Sequence, residues 1–265
     1  MAAMKDGVSK DTAPGFAVRL ARDARDLRAA QRLRYAVFVQ ELGARCAGAD
    51  HAARLESDSF DAHVDHLLLI DAARDAAGAE DHVIGVYRLL PDTVAARLGR
   101  FYSDAEYDLT PLRASGRRLV ELGRSCVHPA HRRGAAMLHL WNGLAAYVIA
   151  GGFEVLFGVA SFPGADPAPH APALAWLHAH HRAPEGLRVR VLPGPSALRM
   201  EGAAAGATPA AIPPLIRAYL RLGGTVGEGA FVDRDFNTTD VFLMVDTSAM
   251  SGRAFDFYTR KTPRL

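Results

Sequence analysis

Between Phe16 and Asp246 apolar residues recur in two rhythms, and the switches between them predict the order of the elements. FAVRLA (16–21) alternates over a few residues and predicts a short strand. Asp23 is placed to cap a following helix, with Asp26 in its favourable first turn. Leu27, Ala30, Leu33, Val37 and Leu42 then recur at helical spacing up to Gly43, a residue suited to a helix C-terminus. Residues 44–64, which include ARLESDSFDAHV (53–64), have no period and predict a loop. HLLLIDA (66–72) and HVIGVYRLLP (82–91) predict an antiparallel hairpin, and RLVELGRSCV (118–127) a further long strand. Met137, Leu140, Leu144 and Val148 mark a buried helix over 135–151. The continuous apolar run of FEVLFGVASF (153–162) suits a strand covered on both faces. APALAWLHAHHRAP (171–184) predicts a short helix stopped before Pro184. PPLIRAYLRLGG (213–224) predicts another, striped by Leu215, Ile216, Tyr219 and Leu220, and TTDVFLMVD (238–246) a last core strand. That succession makes a mixed α/β sheet.

Composition narrows the setting. The chain has 265 residues, 49% hydrophobic and 23% charged, a globular composition. We expect residues 1–15 as a disordered lead, 16–250 as a single domain with an irregular Pro-, Gly- and Ala-rich insertion at about 185–211, and 251–265 as a C-terminal tail. A net charge of +2, from 31 basic and 29 acidic residues, gives no electrostatic case for nucleic acid. Two cysteines, Cys46 and Cys126, cannot form a disulfide framework and lack zinc-ligand spacing, which suits a reducing cytoplasm. No signal-peptide core precedes residue 16, and no stretch approaches ~20 uninterrupted apolar residues.

The chemistry concentrates in LVELGRSCVHPAHRRGAAM (119–137), a strand that breaks into a helix through a basic glycine turn. Unpaired N–H groups and the helix dipole make such a turn an anion site. It has neither the lysine of a P-loop nor the spacing of a dinucleotide fingerprint. VHPAHRRGAA (127–136) resembles the pyrophosphate-binding turn of the GNAT superfamily of N-acyltransferases, although the single Gly134 is followed by two alanines. The resemblance implies a GNAT-like, mostly antiparallel central sheet with helices on both faces. It also implies that Val127, Arg132, Arg133, Gly134, Ala135 and Ala136 hold the phosphate of coenzyme A or of a carrier-protein phosphopantetheine.

LRYAVFVQELG (33–43), DSFD (58–61), GVYRLLP (85–91) and ELGRSCV (121–127) follow in the order seen in acyl-homoserine-lactone synthases. The matching positions are Arg34, Phe38, Asp58, Asp61, Arg88, Glu121 and Arg124. A tryptophan typical of those enzymes after the first helix is missing, which argues against S-adenosylmethionine as substrate. From about residue 30 to 245 the chain is most similar to the L-ornithine Nα-acyltransferases of ornithine-lipid synthesis. That match includes LAWLHAHHRAP (174–184), LRVRVLP (187–193), IPPLIRAYLRLGG (212–224) and FVDRDFNTTDV (231–241). It implies transfer of a 3-hydroxyacyl chain from acyl carrier protein to the α-amine of L-ornithine by direct aminolysis, giving lyso-ornithine lipid. The carrier thioester, or acyl-CoA, is then donor rather than resident cofactor.

Aminolysis of a thioester needs a neutral amine, a polarised carbonyl and a departing thiolate. Glu121 is the candidate to take the amine's proton, or else half of an ion network with Arg124 or Arg88. Backbone N–H groups at the end of the 118–127 strand suit the oxyanion. Arg34, Arg88 and Arg124 are candidate forks for an amino-acid carboxylate. Asp58, Asp61 and Asp233 offer acid to a side-chain cation, or are surface charges and caps, and the resemblance implies that Phe38 belongs with the substrate site. Cys126, with no activating pair, is expected to be a buried bystander. His178, His180 and His181 do not share a helix face, so no metal site is expected. The 213–224 helix, with Arg217 and Arg221 beside its apolar stripe, suits core packing or peripheral contact with anionic inner-membrane lipid. Two rival readings stand beside this one: acylation of another amine, and a non-catalytic acyl-carrier or lipid-binding module.

Overall fold

The computed structural model describes residues 15–132, 135–200 and 211–249. In chain order the strands and helices are β1 (Phe16–Leu20), α1 (Ala24–Arg34), β2 (Ala49–Asp50), β3 (Leu55–Glu56), β4 (Asp65–Asp71), α2 (Ala72–Ala76), β5 (Val83–Pro91), α3 (Asp92–Leu98), β6 (Tyr107–Asp108), α4 (Thr110–Ala114), β7 (Leu119–Val127) and α5 (Ala136–Gly151). They continue with β8 (Val155–Pro163), α6 (Ala171–His181), β9 (Arg190–Val191), β10 (Ala197–Leu198), α7 (Pro214–Arg221), β11 (Thr225–Asp233) and β12 (Thr238–Asp246). The main sheet runs β1-β4-β5-β7-β8-β12-β11-β9-β6, with β10 also on β11. Its pairs are antiparallel except β7–β8 and β9–β11.

The apolar run of β4 shows why this sheet is covered on both sides. Successive side chains of a strand point to opposite faces. Leu68 and Ile70 therefore pack with Ala29, Ala30 and Leu33 of α1. Leu67 and Leu69 pack with Leu140, Trp141, Leu144 and Val148 of α5. Each fully buried leucine or isoleucine there contributes about 1.5–3 kcal/mol of transfer free energy. Asp23 caps α1 through Asp26 N at 2.9 Å, as its position in the sequence predicts. Ile216 and Tyr219 of α7 are buried in the core. Among the described residues, no helix is long and apolar enough to cross a membrane.

Several expectations need correction. The helix from Ala24 does not stay α-helical: at Tyr35 it widens into a π-helical stretch, Tyr35–Glu41. The 44–64 segment contains the β2–β3 pair, joined over only two residue pairs, which is too short to leave a period. The 185–211 stretch contains β9 and β10, while residues 201–210 lie outside the described residues, as do the predicted lead over residues 1–14 and the tail over 251–265. β11 went unpredicted because its glycines interrupt the apolar alternation. At Gly229, with φ +83°, the strand is irregular and an added Cβ would meet Val191 Cγ1 at 2.3 Å.

The sheet's main irregularity lies at its centre. β7 and β8 pair in parallel only from Leu119↔Val155 to Glu121↔Phe157 and then part. Gly158 sits at the parting point, where a Cβ would lie 2.2 Å from the Leu122 carbonyl oxygen. Gly158→Ala should therefore cost about 1–3 kcal/mol of overpacking strain, and urea unfolding would measure it. Gly186→Ala, where a Cβ meets nothing within 4 Å, serves as the control expected to stay within about 0.5 kcal/mol of the parent.

Candidate active site

The parting of β7 and β8 opens a cavity of about 260 Å³ between residues 122–125 of one strand and 158–161 of the other. Because residues of both sheet faces line it, its two ends differ in chemistry. Glu121, Arg88, Tyr102, Asp233 and Asp240 belong to a polar end, joined by Phe38, Phe60 and Phe236. Leu122, Leu156, Leu215, Tyr219, Leu243 and Val245 form an apolar end under α7.

Three arginines and three carboxylates build a wall of the polar end. Arg34, with no exposed surface, directs Nε to Glu56 Oε2 and both terminal nitrogens to Asp61, at 2.7 and 3.0 Å. Its Nη2 also donates to the Glu56 carbonyl at 2.8 Å. Arg88 Nη1 reaches Asp58 at 2.6 Å and Asp61 at 3.2 Å, with its guanidinium over Phe60 and Tyr102. Arg124 reaches Glu56 and Asp58 at 3.3 Å each and lies between the rings of Tyr102 and Phe236, 4.8 and 4.2 Å from their centroids. Its backbone holds φ at +48° in a bulge where Arg124 and Ser125 face Tyr87, which turns the side chain onto those rings. Burial alone would raise the Asp61 carboxyl, but the hydrogen bonds and charge of Arg34, with Gln31 and Arg88, bring it down to about 2.

This network changes the place of several expected binding groups. Arg34 and Asp61 satisfy each other, so neither presents a free fork or acid to a ligand, and neither lines the cavity. Asp58 is likewise occupied by Arg88 and Arg124. The alternative in which Glu121 pairs with an arginine is also corrected. Its Oε2 accepts from Tyr102 N at 2.6 Å, and its Oε1 from Ser103 N at 2.7 Å and from the Ser103 hydroxyl. Burial pushes the Glu121 carboxyl above its ordinary value, against those hydrogen bonds. Arg88, Arg124, Phe38 and Asp233 do reach the cavity.

At the basic turn, Val127 closes β7, and its carbonyl accepts from Arg132 Nε at 3.0 Å. The Arg132 guanidinium grips Glu41 through two contacts of 2.5 and 2.6 Å rather than pointing free for a phosphate. Ala135 and the buried Ala136 start the 16-residue α5 without a side-chain cap. Arg133 and Gly134 lie outside the described residues. Cys126 is buried, and burial pushes its thiol up to about 12, which removes any nucleophilic role. His178 approaches Arg182 at 3.3 Å, whereas His180 and His181 pack on Trp176.

Three acids that no motif singled out as a group meet beside the cavity. Carboxylate oxygens of Glu106, Asp233 and Asp240 lie within 4.8 Å of one another. Burial, then the charges of Asp240, Asp233 and Glu121, raises the Glu106 carboxyl to about 9. Burial and the charge of Asp233 raise Asp240 to about 6 against the Ser161 hydroxyl. Asp240 left a signal in the sequence, an acid inside the apolar run TTDVFLMVD, but Glu106 left none.

Comparison with known proteins places this geometry among relatives. Residues 33–142 match the acetyltransferase (GNAT) domain family. A protein of Rhodobacter capsulatus named L-ornithine N(alpha)-acyltransferase is 60% identical over 248 residues, covering 93% of this chain and 95% of its own. One of the same name from Rhizobium meliloti is 42% identical over 251 residues, covering 91% of this chain and 83% of its own. Among solved structures, the AHL synthase LasI shares the fold with a TM-score of 0.51 at 16% identity, covering 91% of this chain and 94% of that one.

The two acid groups should titrate in opposite senses. Asp61 stabilises the fold fully above the unfolded carboxylate value near ~3.9, and that contribution is lost as the pH falls through about 2. Asp61→Asn should cost on the order of 3–5 kcal/mol at neutral pH and flatten the loss of stability between pH 4 and 2. Glu106 keeps its proton in the fold where the unfolded chain, at ~4.3, has released it, so stability falls as the pH rises toward about 9. Glu106→Gln should reduce that alkaline loss in denaturant melts between pH 5 and 9.

Proposed function

The chain belongs to the L-ornithine N(alpha)-acyltransferase family and is an N-acyltransferase, and from that footing we propose that it moves a 3-hydroxyacyl chain from acyl carrier protein to the α-amine of L-ornithine. The observation that carries the reading is the two-ended cavity at the strand parting. Beyond Glu121 and Phe157 the facing edges of β7 and β8 no longer pair with each other, so their peptide groups are available to an extended, amide-bearing chain. A phosphopantetheine arm has that form. Its thioester would then lie beside Glu121, with the acyl chain along Leu122, Leu156, Leu215 and Leu243 toward the apolar end.

On this reading the ornithine α-ammonium, near ~8 when unperturbed, gives up a proton to Glu121, whose burial makes it a stronger base than an exposed carboxylate. The amine nitrogen attacks the thioester carbonyl and the C–N bond forms. Backbone N–H groups at the 124–125 bulge stabilise the oxyanion. The C–S bond then breaks as the carbonyl re-forms, and the thiolate leaves with one of the two protons still on nitrogen, the other staying as the amide N–H. Tyr102 N and Ser103 hold the Glu121 carboxylate in place, while Arg88 and Arg124 set the electrostatics of that end. The phosphate end of the arm falls to the turn that opens α5, at Val127, Arg132, Arg133, Gly134, Ala135 and Ala136, with Arg132 changing partner from Glu41. The lyso-lipid product is amphiphilic, and release at the inner-membrane surface by peripheral contact follows from its chemistry.

Product mass spectrometry tests the reading. The purified protein is incubated with 3-hydroxyacyl-acyl carrier protein and an equal mixture of amino acids including ornithine. The expected result is one new mass, 3-hydroxyacyl-ornithine, with the rate lowered on the order of 10²–10⁴-fold in Glu121→Gln. Acylation of a different amine, or transfer from acyl-CoA alone, would overturn the corresponding half of the proposal.

A further inference from the structure

The charged groups at the polar end divide into a satisfied set and an unsatisfied one. The arginine–carboxylate network is balanced, three against three, with its short contacts formed. The trio of Glu106, Asp233 and Asp240 is not. Glu106 and Asp240 are only 4% and 3% exposed, yet among the described residues Glu106 Oε2 and Asp240 Oδ1 have no hydrogen-bond partner. Outside the trio, Thr238 lines the cavity with Asp233 and Asp240, and Glu106 lies behind them. Asp233 Oδ1 is held by the N–H groups of Asp235 and Phe236, which fixes that carboxylate while Asp233 lines the cavity. Buried acceptors left without donors are costly, so such a group points to a ligand that brings donors and positive charge.

We infer that Glu106, Asp233 and Asp240 form the pocket for the side-chain ammonium of the amino-acid acceptor, and so select a diamino acid over its uncharged analogue. The inference rests on the acyltransferase reading, in which the α-amine reacts and the side-chain amine stays charged. An ammonium has three N–H donors and no acceptor. At N···O distances of about 2.9 Å and near-tetrahedral angles, the three acceptor oxygens would stand about 4.7 Å apart. The trio's oxygens, all within 4.8 Å of one another, are close enough together for one such ammonium to reach all three. A primary alkylammonium titrates near ~10.4 and stays positive at neutral pH, which draws the trio's protons off as it binds. Glu121 influences the titration of Glu106, so the reacting end and the ammonium end lie within electrostatic reach of each other. Discrimination follows because an acceptor without the amine leaves buried carboxylates unpaired.

The test compares L-ornithine with L-norvaline, the same carbon chain without the δ-amine, using one acyl donor. In the parent protein kcat/KM should favour ornithine by at least about 100-fold. Glu106→Gln and Asp240→Asn, both nearly isosteric, should each lower that ratio about 10- to 100-fold, chiefly through a higher ornithine KM. Thermal melts of the two variants check that they fold. Without donor, ornithine should raise the Tm of the parent protein more than norvaline does, a measurement that needs no variant. An unchanged ratio in folded variants, or equal use of both acceptors by the parent, would overturn the pocket. Tight binding of Mg²⁺ or Ca²⁺ lost in both variants, with the ornithine preference intact, would make the trio a metal site and overturn it too. If the parent acylates neither amino acid, the acyltransferase reading fails, while a Tm rise confined to ornithine would still support the pocket.

Discussion

Burying Arg34 with no exposed surface constrains everything around it. A guanidinium moved out of water costs several kcal/mol unless charge and hydrogen bonds are restored in full, and here Glu56 and Asp61 restore them. Those two residues flank the 57–60 segment, so satisfying one arginine fixes the path of the whole acidic loop. Asp58 then meets Arg88 from β5 and Arg124 from β7. The network joins α1, the loop and two central strands, and its geometry is demanding because Arg34, Glu56, Asp61 and Arg88 are buried with one another. The positive φ of Arg124 belongs to the same constraint, since the bulge turns its guanidinium between two rings and toward Glu56 and Asp58.

A rigid wall on one side lets the sheet part on the other. Up to Glu121 and Phe157 the β7–β8 pairing closes the sheet, and past that pair the strands separate around a cavity open to both faces. A sheet that separates the chemistry of its two faces thereby joins them at one point. The acids and arginines of one face meet the leucines of the other, an arrangement that suits a substrate with a charged head and a long apolar tail. LasI, at 16% identity, shares this fold.

Around that cavity, balance distinguishes structure from binding. Arg34, Asp58 and Asp61 resemble ligand groups by residue type, yet their donors and acceptors are matched within the protein. Glu106 and Asp240, which resemble misplaced acids in a core, keep unmatched oxygens. Satisfied charge holds the scaffold, and unsatisfied charge is what a ligand can relieve.

Much of this architecture was legible in the sequence. Period and punctuation gave β1, α1, β4, β5, β7, α5, β8, α6, α7 and β12 nearly in place, because long elements with a buried face leave a pattern that survives without context. The Asp23 cap and the buried, inert Cys126 followed from local rules. The pairs β2–β3 and β6–β9 were not legible because two residues a strand leave no period, and β11 was not because its glycines break the alternation. The site divides in the same way. Motif order located Glu121, Arg88, Arg124 and Phe38, but residue type alone could not separate an arginine that waits for a carboxylate from one that already has two. That distinction depends on which oxygens come within 3 Å of which nitrogens, a property of chain segments dozens of residues apart. Glu106, Asp233 and Asp240 became a group only when β11, β12 and the turn before β6 folded together.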